Sequence, residues 1–513
     1  MIGRRRRNKW RRAITALTVV LVAAGLSGPS PTATSQQAAA ATRAQATANG
    51  TANAKAEAAR TGEKVEVLAL RGERSTTVAN PDGTFTTTEY VQPVRTRRNG
   101  MWTDIDTTLV RRDNATYAPK AALASMSFSG GGGTALAEVE KDGRSFSLDW
   151  PGTLPRPLVE GPTATYPDVL PGVDLKVTAG AEGFSHVLVV KNAEAAENPD
   201  LAALELPVDT RSLTLKKTED GGLEARDASS GATVFEAPAP MMWDSRPSAQ
   251  GSAAPSASPS SSLPPSGMGP GGAAAPPDGS RVADVTVKVS DGTMTLRPDA
   301  GLLKGEDTVY PVYIDPVVRT ANRTGWTMVS SYYASSKFWK FDDDEGVGRC
   351  PADVSYRCTS SSDVKRQFFA LPTGTFEDKD IVSAEFAVTM VHTYSESARE
   401  VQLGRVNSTG ASAISSSTSW NNQPSLKEAI TAQSPTNPAG SCTSTNQNVR
   451  FSVKGTIQRA ADSGWDTTTF RLKAGDEGSY SYWKRFCGNA HLEVTYKKTM
   501  EEWDDELRDF LEP

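Results

Sequence analysis

Three histidines, His186, His392 and His491, are the only imidazoles in the 513-residue chain. Each falls inside a strand-like run. A Ser–His–Asp set is assembled by folding rather than by spacing, and the G-x-S-x-G elbow of many hydrolases is missing. Glycoside hydrolysis needs two carboxyls about 5 Å or about 6.5–9.5 Å apart, and the scattered acidic residues single out no such pair. Asp342, Asp343 and Asp344 follow Phe341 and precede Glu345. Clustered carboxylates of this kind ligate Ca²⁺ through oxygen, although the spaced ligands of an EF-hand are absent.

Aromatic residues offer the better lead. Tyr332, Tyr333, Phe338, Trp339 and Phe341 crowd one stretch, and Tyr480, Tyr482, Trp483 and Phe486 another. Strand alternation would place Tyr480 and Tyr482 on one face, and an exposed ring stacks on a sugar. Tyr480, Tyr482, Trp483 and Trp339 are therefore the candidate ligand-binding residues, with polysaccharide or cell-wall glycan as the ligand. The competing reading puts the same rings in a sandwich core. The sequence points to a non-enzymatic binding or scaffold protein. The alternatives are a structural head segment of a surface or toxin-delivery protein, and a secreted hydrolase with a scattered site. No cofactor is expected beyond a structural Ca²⁺ on the three aspartates.

The N-terminus says where this chemistry takes place. Arg4–Arg7, Lys9, Arg11 and Arg12 precede an apolar run from Ala13 to Leu26, and small residues follow at Ala38–Ala41. That order is a secretory signal over residues 1–40. The run falls short of the roughly 20 residues of a membrane span, and no later stretch approaches that length. The expected location is secreted, extracellular or cell-wall associated. Net charge is −5, and removing the basic leader makes the remainder more acidic, which argues against nucleic acid as a partner. The four cysteines, Cys350, Cys358, Cys442 and Cys487, read as disulfides in an exported chain. Three pairings exist; Cys350–Cys358 and Cys442–Cys487 are favoured because each brackets a compact segment. Zinc would require closer Cys spacing or neighbouring His.

The elements that must position these residues are strands. Short alternating runs recur between Gly, Pro, Asn and Asp turns, and no long 3.6-residue period appears. The fold class is all-β: an N-terminal β-rich domain followed by a C-terminal jelly-roll β-sandwich, with a signal peptide and disordered linkers. Residues 41–61 read as a linker with a weak helix over Ala52–Arg60. Residues 62–316 form the first domain, interrupted by a disordered Pro/Ser/Gly insertion at 245–280. Residues 317–498 form the second, with a short helix from Gly455 to Asp462 ending at Gly464. In the tail, 499–513, Met500, Trp503, Leu507, Phe510 and Leu511 recur among acidic residues as one amphipathic helix. It would dock on the protein or meet a protein partner.

Several pieces of 317–498 carry a family resemblance. They are Asp363-Val-Lys-Arg366-Gln-Phe-Phe-Ala-Leu371, Ile381-Val-Ser-Ala384, Ser419-Trp420-Asn421-Asn422-Gln423-Pro424, Val453-Lys-Gly-Thr-Ile457 and Ala490-His-Leu492-Glu-Val-Thr-Tyr496. Together the segment resembles the DNRLRE-type modules of exported bacterial proteins, related to jelly-roll carbohydrate-binding modules. The two domains in tandem look like the front part of large actinobacterial surface proteins of the LamG/RHS type. The resemblance implies a jelly roll in which Arg366, Trp420, Asn421 and Pro424 are structural, and related jelly rolls often hold a structural Ca²⁺.

Overall fold

The computed structural model describes residues 50–246, 276, 280–315, 317–320, 324–341, 343–351, 360–442 and 447–497. The signal 1–40, nearly all of the 245–280 insertion and the tail 499–513 lie outside them. The chain is all-β, in two sandwiches of antiparallel sheets.

In the first sandwich, alternation in sequence becomes alternation in burial. Val173, Leu175 and Val177 are buried on strand Val173–Ala179, while Asp174 and Lys176 between them are half-buried. The next strand, Gly183–Val190, is buried along its whole length. It pairs with Val173–Ala179 on one side and with Val312–Asp315 and Val317–Thr320 on the other. The facing eight-stranded sheet runs from Asp106–Arg111 at one edge to Thr286–Ser290 at the other. Phe128, Phe146, Trp150, Tyr166, Phe184 and Phe235 fill the space between the sheets with Leu and Val. The strands that flank the Pro/Ser-rich insertion, Met241–Trp243 and Val282–Asp284, pair with each other. The chain thus leaves and re-enters one sheet.

The second sandwich corrects the domain boundaries expected from sequence. Strand Phe85–Tyr90 pairs residue for residue with the last strand, His491–Lys497. Asp380–Val388 flanks that strand on its other side. Residues 65–91 therefore belong to the jelly roll, and the first sandwich is inserted into it. The stretch expected as a linker holds a helix over 50–61, and its Ala54 and Ala58 are buried in the jelly-roll core beside Val67, Phe85 and Val91. Alanine at positions i and i+4 gives this helix a flush contact with the sheet. A composition too poor in large apolar groups to order itself becomes ordered by the surface it covers. At the other boundary, Val317–Thr320 stays in the first sandwich's sheet.

The opposing jelly-roll sheet runs from Met390–Thr393 through Lys484–Cys487, Asp344–Arg349, Val364–Pro372, Thr467–Ala474 and Val401–Arg405 to Glu428–Gln433. Helix Lys454–Asp462 buries Thr456, Ile457, Ala460 and Ala461, and the turn after it uses the positive φ of Gly464. Cys442 and Cys487 form a disulfide with a Cα separation of 5.6 Å. Cys350 is buried and disulfide-bonded; its expected partner, Cys358, lies outside the described residues.

A buried polar cluster joins the sandwiches. Glu182, in the turn before Gly183–Val190, meets Arg74 from the segment before the insertion and Lys340, at 3.6 Å, from the segment after it. Lys340 is fully buried and lies 3.2 Å from Glu236, which also accepts from Trp339 Nε1 at 3.0 Å.

Candidate functional site

The aromatic residues separate into buried anchors and an exposed pair. Trp483 is 0% exposed. Its ring lies so close to Gly346 that a Cβ there would come within 2.0 Å of it. Trp339 is packed over Gly325 in the same way and is tied to Glu236. Neither ring offers a face to a sugar. Both are buried because strands bearing glycine let an indole lie flat on the backbone, a feature that the aromatic clustering alone does not reveal.

Trp483 instead positions the ring that is exposed. Tyr480–Tyr482 is a single 3-10 turn rather than the strand expected from alternation. The Trp483 N–H donates to the Tyr480 carbonyl at 3.0 Å, and its carbonyl accepts from the Tyr394 N–H at 3.0 Å. Tyr480 is 53% exposed and Tyr394 36%, and their rings meet edge to face at 5.4 Å. Tyr482 is half-buried, with the Arg399 guanidinium 5.6 Å over its ring. Behind them Lys484 is buried and donates to Thr393 Oγ1 at 3.4 Å; burial, and then Arg399, lowers its pKa to about 8. Arg349 Nη1 braces the turn through the Gly478 carbonyl at 3.2 Å. The result is a rim of two tyrosine faces, a phenol and a guanidinium at one end of the jelly roll. Its donors and ring faces suit a hydroxyl-rich ligand. Tyr394 and Arg399 carry no local signal, because folding brings them to Tyr480 from some 80 positions away.

Of the residues expected to be structural, Arg366 and Trp420 meet. Arg366 is bidentate to Glu477 at 2.7 and 2.7 Å, donates to Gln423 Oε1 at 2.9 Å, and lies 4.6 Å from the Trp420 ring centroid. Ser419 and Asn422 form a capping box around the Trp420–Asn422 turn, and Asn421 reaches the Ala334 carbonyl and Ser335 Oγ at 3.1 Å each. Pro424 follows, half-buried.

The three expected calcium ligands fare differently. Asp342 lies outside the described residues. Asp344 stands 3.2 Å from the Arg485 guanidinium. It also lies, with Asp343, close to the sulfur of Cys442, which is tied up in the disulfide. A carboxylate already balanced by a guanidinium is a poor ligand for a hard cation that takes six to eight oxygens.

The histidines sit apart on strands of both sandwiches. Burial lowers each to about 4; Arg485 adds to the effect at His392 and Arg450 at His491. All three are therefore neutral near pH 7. His186 points into the first core with Phe184 and lines a small apolar cavity with Phe146, Phe235 and Met294.

No family model and no curated protein matches the chain. Among solved structures it is similar to a β-porphyranase of glycoside hydrolase family 86 from the human gut bacterium Bacteroides plebeius. The identity is 7%, and the TM-score is 0.16. The similarity covers 66% of this chain and 39% of that one. At that score neither fold nor activity is transferred. Among the described residues no helix is long and apolar enough to cross a membrane.

Proposed function

We propose that the protein is a non-enzymatic extracellular binding module that holds polysaccharide at the jelly-roll rim formed by Tyr480, Tyr394, Tyr482 and Arg399. The observation that carries this reading is the exposed Tyr480–Tyr394 pair, fixed from behind by the buried Trp483 and flanked by a guanidinium. The leader-like N-terminus, the Cys442–Cys487 disulfide and the acidic balance support a role outside the cytoplasm. The test is retention of the purified protein on insoluble chitin, cellulose and bacterial cell wall. Retention on at least one is expected, weakened about tenfold by Tyr480→Ala with the melting temperature unchanged. No retention on any matrix would overturn the reading and favour a structural segment of a surface protein.

A further inference from the structure

A second site lies on the inserted sandwich, far in sequence from the tyrosine rim. The hairpin of Arg95–Arg98 and Met101–Asp104 is a two-stranded sheet of its own, and Arg98 reaches from it to the Pro119 carbonyl on the eight-stranded sheet. Arg98, the turn from Arg112 to Thr116, and strands Tyr117–Ala121 and Ser125–Phe128 line an open cleft of about 480 Å³. That size is in the range of small-molecule sites. Arg98 and Arg112 line it, and both donate through Nη2 to one acceptor, the Pro119 carbonyl, at 3.2 and 3.3 Å.

Two guanidinia held on one oxygen repel each other, and each keeps further N–H donors to offer. A tetrahedral oxyanion is the partner that relieves the repulsion and fits the planar donor fork. Beside the apolar Ala118, Pro119 and Met126, the rest of the lining is polar and, apart from Asp113, uncharged: Asn114, Thr116, Ser125 and Ser127. Thr116 is already turned onto Asn114 Oδ1 at 2.7 Å. Glu138 and Glu140 stand opposite Ser127 and Ser125 on the neighbouring strand, and Glu140 is paired with Arg211 at 2.9 Å. These groups match hydroxyls better than a second anion. Arg97, stacked 4.6 Å over Trp102, and the exposed Arg111 add positive charge nearby.

We infer that this cleft binds a phosphate or sulfate ester carried on a hydroxyl-rich molecule. Arg98 and Arg112 take the oxyanion, and the Ser, Thr, Asn and Asp113 side chains face the hydroxyls. The chemistry is common to phosphorylated polyols and sulfated sugars.

Calorimetric titration of the full chain with glycerol 3-phosphate, glucose 6-sulfate and glycerol tests this. At least one of the two esters should bind, with glycerol silent, and the tighter ester identifies the source. Affinity should fall at least tenfold in Arg98→Gln/Arg112→Gln and rise in Asp113→Asn. The charge-matched control Lys216→Gln/Lys288→Gln, on strands at other sheet edges, should leave it unchanged. Failure of both esters to bind, equal loss in the control, or undiminished binding in the arginine variant with its melting temperature intact would each overturn the assignment.

Discussion

The two sandwiches are built from the same kind of strand but bury different chemistry. The inserted one packs Leu, Val and Phe between its sheets, with Tyr166 and His186 turned into that core. The jelly roll centres on Phe386, which contacts Phe369, Phe451 and Phe470 with ring centroids 5.6, 6.2 and 5.1 Å apart. It also encloses ionisable groups: Lys365 lies 3.3 Å from Glu345, and Glu89 and Lys484 are buried. It is covalently cross-linked as well. The inserted core rests mainly on apolar area, with the buried Asp227 held by Arg144, whereas the jelly roll adds electrostatic and covalent handles that can be altered one at a time.

The largest expected effect comes from removing the segment that precedes the insertion. A chain starting at residue 92 should keep the calorimetric transition of the inserted sandwich and lose that of the jelly roll. Burying Phe85, Val67 and Val91 contributes about 1.5–3 kcal/mol each, a sum comparable with the whole stability of a domain. A jelly-roll transition that survives the truncation would show that the later strands suffice. Next in size is Cys442→Ser with Cys487→Ser. Opening a closure with a sequence separation of 45 should cost about 4 kcal/mol in the loop-entropy account, read as a lower jelly-roll melting temperature with the other transition unmoved. Equal shifts in both transitions would mean that the sandwiches melt as one body.

Per pH unit, the smallest effect sharpens the contrast. Burial raises Glu89 from 4.5 to about 8, against the lowering influence of Thr375 and Arg74. The folded state then holds a proton that the unfolded chain releases. Glu89's contribution is complete below pH 4.5 and is lost as pH rises toward 8, with a slope of up to about 1.4 kcal/mol per pH unit. Glu89→Gln should remove that slope from jelly-roll urea melts, and identical slopes in variant and parent would refute it. His186 acts in the opposite sense. Lowered to about 4, its contribution is present above pH 6.5 and is lost as pH falls toward 4.

Strand alternation made the all-β class readable from sequence, and turn residues located most jelly-roll strands and the helix before Gly464. Two things were not readable. The Ala- and Thr-rich start of the jelly roll has too little apolar content to be recognised as core, since its order comes from a sheet completed at the far end of the chain. The aromatic clusters gave position without exposure: Gly346 and Gly325 make room for the indoles, and only the fold shows that Trp483 supports Tyr480 from beneath. Trp420 and Arg366 were singled out in sequence one by one, and their contact, the Arg366 guanidinium 4.6 Å from the ring centroid, is shown by the fold alone.

Glu182 has a consequence for the order in which the chain assembles. The hydroxyls of Thr86 and Thr495 are 2.9 Å apart across a separation of 409 residues, so the first hairpin is synthesised long before its neighbour strand exists. The inserted sandwich pairs its strands within itself and can complete first, as domains generally do. Glu182 then faces Arg74 from upstream and Lys340 from downstream, and docking at this one carboxylate shortens the loop still to be closed. In the folded chain this one carboxylate of the insertion thus clamps together two parts of the jelly roll that lie far apart in sequence.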